Sequence, residues 1–257
     1  MPDFPPQVPE GQEDPYTFLS TFDTVLLIDD SGSMAGRSWR EVSLALSTIA
    51  PIVTSHDSDG ITVYFLNHRS SDSGKASQGV ASTGYHGIRR AETIQQIFET
   101  VRPGGGTPTG TRVNHILKAY MKAYEDSLRT SSELKPLNLI VLTDGVPSDE
   151  VEGVIVQCAK KLDKLEAPAY QVGIQFFQVG NESGAKEALE ELDDCLAEQA
   201  DVRDIVDTVT WTGGRSALSG GVGLTGDSIL KAVLGAVVKR LDRRPAEGGT
   251  ATRGGRL

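Results

Sequence analysis

The chain has 257 residues and a formal net charge of −10. This length is sufficient for one substantial hydrophobic core, so we expect a single domain with irregular ends. The excess of acidic side chains argues against a nucleic-acid-binding surface, because phosphate contacts require clustered lysine and arginine.

The cysteines and the apolar runs indicate the compartment. Cys158 and Cys195 are the two cysteines of the sequence, and both lie in stretches with helical patterning. They form no disulfide framework, which favours a reducing compartment. Residues 1–9 have neither the basic start nor the apolar run of a secretory signal, and no apolar stretch reaches the ~18 residues of a membrane span. We therefore expect a soluble, cytoplasmic monomer that binds neither nucleic acid nor membranes.

The hydrophobic pattern predicts alternating strands and helices after an irregular start. Residues 1–20 are rich in proline and acidic side chains, which predicts a flexible tail. The alternative for residues 15–19 is that the two aromatic side chains there, Tyr16 and Phe18, pack against the domain. The apolar run Val25–Ile28 predicts a buried strand. The elements predicted after it are a helix over 38–55, a strand over 61–66, an edge strand over 83–88 that pairs back onto it, helices over 91–101 and 109–129, a strand over 137–143, a helix over 149–165, a strand over 170–179, a helix over 183–200, a strand over 205–211 and a closing helix over 227–241.

Polar side chains at two of the predicted helix starts are typical of caps. Thr109 or Thr111 is expected to cap the helix over 109–129. Ser148, Asp149 and Glu150 are typical of a helix N-terminus, which places the start of the following helix near Asp149.

Strands that are almost entirely apolar and alternate with helices indicate a mostly parallel sheet with helices on both faces. The predicted fold class is therefore α/β, a Rossmann-like doubly wound sheet with one short antiparallel edge strand. Ligands of such folds bind beyond the carboxyl ends of the strands. Asp29 and Asp144 each follow a predicted strand, so we expect both at that edge.

The residues that follow the first strand have the chemistry of a cation site. Asp29, Ser31 and Ser33 fall at alternate positions around Gly32, so one carboxylate and two hydroxyls can point to a common centre. Such an all-oxygen cluster suits a hard cation such as Mg²⁺ or Mn²⁺. Taken alone, the same pattern also occurs in ordinary turns and helix N-caps.

Two later fragments repeat this chemistry. Thr107 lies in a glycine loop over 104–110, and Asp144 follows the strand over 137–143 within a Thr-Asp-Gly sequence. In type and order, these residues resemble the metal-ion-dependent adhesion site of the von Willebrand factor A family. That site combines a D-x-S-x-S loop, a threonine from a middle loop and an aspartate from a T-D-G loop. Together with the predicted elements, the resemblance implies a domain over 21–243. The residues after it, 244–257, are predicted to be a disordered tail.

The resemblance assigns the metal, Mg²⁺ or Mn²⁺, to Asp29, Ser31, Ser33, Thr107 and Asp144. It implies that the two serines bind the ion directly, that Thr107 binds it directly or through water, and that the aspartates act partly through water. The two carboxylates balance a divalent charge. Mg²⁺ retains several waters, which leaves a position for an outside oxygen. In this family that oxygen is commonly an Asp or Glu carboxylate of a protein partner.

Two neighbouring residues have alternative roles. The Asp30 side chain is expected to point away from this common centre, so we expect it to be solvated or bonded to backbone. Thr109 could take the place of Thr107, although its position at a helix start favours the capping role.

Three functions compete on this evidence. A non-enzymatic, metal-dependent protein-binding module is favoured by the five-residue set and by the lack of an evident nucleophile and base. A Mg²⁺-dependent phosphohydrolase of the haloacid dehalogenase type also places an aspartate after a buried strand. Such an enzyme needs a second aspartate two residues later as acid and base, where this chain has Ser31. The third function is an architectural domain whose site is unused.

Overall fold

The computed structural model describes residues 16–179, 184–185, 187–189, 191–192 and 202–211. Within these residues the strands are β1 (Asp23–Ile28), β2 (Ile61–Phe65), β3 (Tyr85–Ile88), β4 (Leu137–Thr143), β5 (Val172–Val179) and β6 (Val206–Trp211). The helices bounded within the same residues are α1 (Arg37–His56), α2 (Ala91–Thr100), α3 (Thr109–Thr130) and α4 (Glu152–Lys164).

The strands form one sheet in the order β3-β2-β1-β4-β5-β6. All neighbours are parallel except β3, which runs antiparallel to β2 at the edge. The predicted fold class is thus confirmed, including its antiparallel edge strand. Ile28 pairs with Leu142, and the Asp29 N–H donates to the Leu142 carbonyl at 2.8 Å. β1 and β4 therefore end side by side, and the loops that follow them leave the sheet at the carboxyl ends of its parallel strands.

Alternate side chains of the central strands enter two separate cores. Leu27 and Val141 lie in a core with residues of α3 and α4, whereas Leu26 and Ile140 lie in a second core with residues of α1 and α2. All four side chains are fully buried. Because both faces of a strand are buried, an apolar side chain is favoured at every position, which explains the unbroken apolar run of β1.

Residues 16–20 are packed against the domain, although composition predicts a flexible tail there. A 3₁₀ turn over Thr17–Thr21 precedes β1, and both Tyr16 and Leu19 are buried against the core that contains α1. The Tyr16 ring lies 5.9 Å from the His56 ring at the end of α1. A flexible tail over residues 1–20 was therefore wrong for residues 16–20, because these apolar side chains anchor the segment.

Several predicted elements lie wholly or partly outside the described residues. These are the closing helix over 227–241, the tail over 244–257 and most of the predicted helix over 183–200. Residues 185, 187–189, 191 and 192 of that last stretch are helical. Among the described helices, none combines the length and the apolar character needed to cross a bilayer.

Three carboxylates surround one lysine at the end of the sheet opposite Asp29. Lys135 forms an ion pair with Asp59, and its Nζ lies 3.5 Å from Asp57 Oδ1. Burial, together with the charges of Asp57 and Asp59, raises the pKa of Asp23 to about 7. Burial also raises the pKa of Asp57 to about 6. The folded protein thus holds the protons of Asp23 and Asp57 more tightly than the unfolded chain does, so these two residues lower stability as the pH rises from about 4 to about 7.

The variant D23N is expected to be more stable than the wild type at pH 8, by on the order of 1 to 3 kcal/mol. Asparagine removes a half-buried charge that has to form at this pH, whereas near pH 4 the wild-type carboxyl is already protonated and the advantage disappears. Urea unfolding at both pH values measures the difference. The control is D126N on exposed Asp126. An equal stability change at the two pH values would contradict the raised pKa.

Candidate metal site

Asp29 connects the loop after β1 with the end of β4. Its side chain is fully buried. Its Oδ1 accepts the Ser31 N–H at 2.8 Å, and its Oδ2 accepts the Thr143 hydroxyl at 2.7 Å. Both carboxylate oxygens therefore have partners, and Asp29 fixes the backbone that carries Ser31.

A continuous chain of hydrogen bonds joins the loop after β1 to the loop after β4. Ser31 Oγ lies 2.9 Å from Ser33 Oγ, and the Ser33 hydroxyl donates to Asp144 Oδ1 at 3.0 Å. Together with Asp29, this arrangement brings four of the five predicted site residues into one contiguous set. The aspartates of the two loops therefore lie together at the carboxyl ends of the strands, as predicted.

Thr107, the fifth predicted residue, lies in a segment placed between these two loops. The Gly32 N–H donates to the Gly105 carbonyl at 3.0 Å, which ties the glycine loop to the loop after β1. The Thr107 carbonyl accepts the Ser148 N–H at 2.9 Å, which ties it to the loop after β4. The Thr107 side chain is half-buried. The structure thus places the segments that carry all five residues in direct contact.

Asp30 is bonded to backbone, which is one of the two states predicted for it. Its side chain is 2% exposed. Its Oδ1 accepts the Asn67 N–H at 2.7 Å, and its Oδ2 accepts the His68 N–H at 2.8 Å. The Asn67 side chain in turn donates from Nδ2 to the Gly106 carbonyl at 2.9 Å. Sequence reasoning missed Asn67, because its partners lie more than thirty positions away.

The cap of α3 comes from a different loop than predicted. Asp149 Oδ1 accepts the Gly110 N–H at 2.8 Å, and its Oδ2 accepts both the N–H and the hydroxyl of Thr111 at 2.7 Å. The N-cap residue Pro108 provides no side-chain bond, and the Thr109 hydroxyl lies 3.5 Å from the Thr107 carbonyl. The prediction that Thr109 or Thr111 caps this helix was therefore wrong.

The same interaction explains why α4 starts later than predicted. Asp149 is occupied at the N-terminus of α3, and α4 begins at Glu152. Glu150 takes part in the first turn instead, because its Oε1 accepts the Gly153 N–H at 2.6 Å. The polar sequence before α4 thus serves two helices, one of them distant in the chain.

The electrostatics of the site favour a cation. Burial raises the pKa of Asp29 and the charge of Asp144 adds to this effect, while hydrogen bonds from Ser31 and Thr143 oppose it. Two carboxylates held close together would be stabilised by a divalent ion, which would be the largest local charge. Within the described part of the chain, no three His, Cys, Asp or Glu side chains are grouped to hold a metal. An ion here would thus depend on the hydroxyl oxygens, a donor set that fits Mg²⁺ or Mn²⁺.

The outer face of this site is open to solvent. Ser33, the glycines over 104–106 and Ser148 are exposed, and the neighbouring Val146 side chain is 47% exposed. A ligand group from outside can therefore approach Ser33, whereas Asp29 and Asp144 lie beneath the surface.

A solved structure and a family model are similar to this chain. Among solved structures, the manganese-loaded TRAP protein of Plasmodium vivax is similar, with 17% sequence identity and a TM-score of 0.40. The match covers 75% of this chain and 70% of that chain. No curated protein matches the sequence. The family model of the von Willebrand factor type A domain matches residues 23–210, a range that contains all five predicted site residues. The chain therefore belongs to the von Willebrand factor type A domain family.

Proposed function

We propose that this chain is a protein-binding module that depends on a divalent cation. Mg²⁺ or Mn²⁺ is held by Asp29, Ser31, Ser33, Thr107 and Asp144, and the partner completes the shell with an Asp or Glu carboxylate. Domains of this family are generally non-enzymatic interaction modules and typically bind divalent metal. The observation that carries the proposal is the hydrogen-bonded chain from Ser31 through Ser33 to Asp144.

The hydrogen bonds support a distinct role for each residue. Both oxygens of Asp29 already accept hydrogen bonds, so this residue orients Ser31 and supplies negative charge beneath the ion. The hydroxyls of Ser31 and Ser33 are neutral donors that contact the ion directly. Mg²⁺ dehydrates reluctantly and keeps part of its water shell. One of these waters is the ligand that the partner carboxylate replaces.

The burial of Asp29 supports a binding role over phosphoryl transfer. A nucleophilic aspartate must present a carboxylate oxygen to its substrate, yet Asp29 is fully buried and both of its oxygens have partners. A phosphatase screen tests this point, because turnover abolished in D29N would favour the enzyme instead.

The first experiment measures metal binding by calorimetry and by thermal unfolding in EDTA, Mg²⁺ or Mn²⁺. At 100 times its dissociation constant, the metal is expected to stabilise the fold by about 2.7 kcal/mol. S33A is expected to lose most of this gain, whereas the control S43A, on an exposed position of α1, is expected to retain it. Identical melting of the wild type with and without metal would contradict the proposed site.

The second experiment tests the partner. Proteins retained on the immobilised chain in Mg²⁺ are expected to elute with a chelator and to be absent from an S33A column. In a partner recovered in this way, replacing the contacting Asp by Asn or Glu by Gln is expected to abolish binding. Capture that persists unchanged in EDTA would overturn the proposal.

A further inference from the structure

We propose that Asn67 is a positioning residue that sets the place of Thr107 at the metal site. The inference rests on the proposed metal site and adds a residue that lies outside the five site residues. Asn67 follows β2, and it contacts both the loop after β1 and the glycine loop that carries Thr107.

Asn67 is itself held firmly by Asp30. The Asn67 N–H donates to Asp30 Oδ1 at 2.7 Å, and the next residue, His68, donates its N–H to Asp30 Oδ2 at 2.8 Å. Asp30 is 2% exposed, so water competes little for this carboxylate. A buried carboxylate that accepts two backbone N–H groups forms strong, charge-assisted bonds. Asp30 thus fixes the backbone of Asn67 to the loop that bears Ser31 and Ser33.

The side-chain amide of Asn67 in turn forms a hydrogen bond with the glycine loop. Its Nδ2 donates at 2.9 Å to the carbonyl of Gly106, the residue directly before Thr107. The loop also fits closely around the amide. Gly105 has φ = +90°, and a Cβ at this position would lie 2.9 Å from Asn67 Oδ1. A residue with a side chain at position 105 would therefore be strained in conformation and would displace Asn67.

Thr107 is held from the opposite side as well. Its carbonyl accepts the Ser148 N–H at 2.9 Å, and the next residue, Asp149, binds the start of α3 through Gly110 and Thr111. The segment is thus attached to the loop after β4 on one side. On the other side the Asn67 amide bonds Gly106, and two backbone bonds, from the Gly32 N–H to the Gly105 carbonyl at 3.0 Å and from the Gly104 N–H to the Asp30 carbonyl at 2.8 Å, attach the start of the glycine loop. Loss of the Asn67 amide removes only the contact directly before Thr107. The chain is then expected to fold, with Thr107 less well placed toward the ion.

The experiment is a double-mutant cycle on Mn²⁺ affinity, measured by calorimetry for the wild type, N67A, T107A and N67A/T107A. N67A is expected to weaken Mn²⁺ binding by about 10-fold, as is typical when a residue that orients a metal ligand is lost. In the T107A background the same change is expected to have an effect of less than about 2-fold, because the ligand that Asn67 positions is already missing. The control N114A, on α3, is expected to change the affinity of neither background.

A second variant separates positioning from folding. N67D keeps the shape of the side chain, removes the amide donor to Gly106 and places a carboxylate beside Asp30. It is expected to weaken Mn²⁺ binding at least as much as N67A, while thermal unfolding in EDTA reports the metal-free fold. Equal losses of affinity with and without Thr107, or unchanged affinity in both Asn67 variants, would overturn the positioning role. A wild type that binds no Mn²⁺ would instead remove the proposed function and this inference with it.

Discussion

Replacing Asp144 by asparagine is expected to weaken Mn²⁺ binding by at least about 100-fold, which corresponds to about 2.7 kcal/mol. The metal-free fold is expected to keep its stability. Asparagine has the shape of aspartate, and its oxygen can still accept the Ser33 hydroxyl, which lies 3.0 Å from Asp144 Oδ1. The variant therefore removes one of the two negative charges of the site with little change in packing.

The direction in which D144N changes stability in EDTA distinguishes the loss of a metal-binding charge from a general disruption of the fold. The charge of Asp144 raises the pKa of Asp29, which means that the two carboxylates disfavour each other in the absence of metal. D144N relieves this repulsion, so in EDTA the variant is expected to unfold at the same or a slightly higher denaturant concentration than the wild type. In Mn²⁺ the wild type is expected to unfold at the higher denaturant concentration, because only the wild type binds the ion tightly.

Calorimetry with Mn²⁺ and urea unfolding in EDTA measure both effects on the same samples. The matched control is D126N, because Asp126 is exposed on α3, where it pairs with Arg129. A D144N protein that is markedly less stable in EDTA would show that Asp144 has a structural role. Undiminished Mn²⁺ affinity would show that the ion, if bound, lies elsewhere.

The strands could be predicted because their buried side chains form short apolar runs that are visible in the sequence. Every side chain of β4 is buried, and β1 is buried at all positions after Asp23, so the apolar runs identify these strands without any knowledge of their neighbours. The order of the strands is not local. Apolar strands can pair in many ways, and for the pairing of β1 with β4 the sequence alone offered only the family resemblance.

The sequence predicts the residues of the candidate metal site, but it does not predict which residues hold them in position. Asp29, Ser31 and Ser33 fall within one short motif, so their spacing is visible in the sequence. Asp30 and Asp149 act on residues far away in the chain. The sequence predicts backbone bonding as one state of Asp30 without identifying its partners, and it predicts a local helix start for Asp149. Asp149 in particular has the composition of a helix start, and only the contact with Gly110 shows which helix it serves.

Replacing Arg112 by alanine is expected to lower the free energy of unfolding by about 3 kcal/mol. Arg112 lies in the first turns of α3 and is 2% exposed. Its Nε donates to the Phe65 carbonyl at 3.0 Å, and its Nη2 donates to the Thr83 carbonyl at 3.0 Å. The guanidinium also lies 4.8 Å from the centre of the Tyr64 ring. Alanine removes these interactions and leaves a cavity beneath the segment between β2 and β3.

The conformation of Thr83 adds to this effect. Thr83 has φ = +63°, which is unfavourable for a β-branched residue. Arg112 Nη1 donates to the Thr83 hydroxyl at 2.9 Å, so the guanidinium holds both the hydroxyl and the carbonyl of the strained residue. Burial lowers the pKa of Arg112 to about 10. The side chain is therefore still charged at neutral pH, which strengthens the hydrogen bonds that it donates.

Urea unfolding of R112A, R112M and the control R129A tests this account. Arg129 is 73% exposed at the end of α3, so R129A is expected to change stability by less than about 0.5 kcal/mol. R112M restores much of the buried volume without the donors. It is expected to lie between R112A and the wild type, because only the packing part of the loss is recovered. An R112A protein within about 1 kcal/mol of the wild type would show that the segment from Phe65 to Thr83 holds its conformation without the guanidinium.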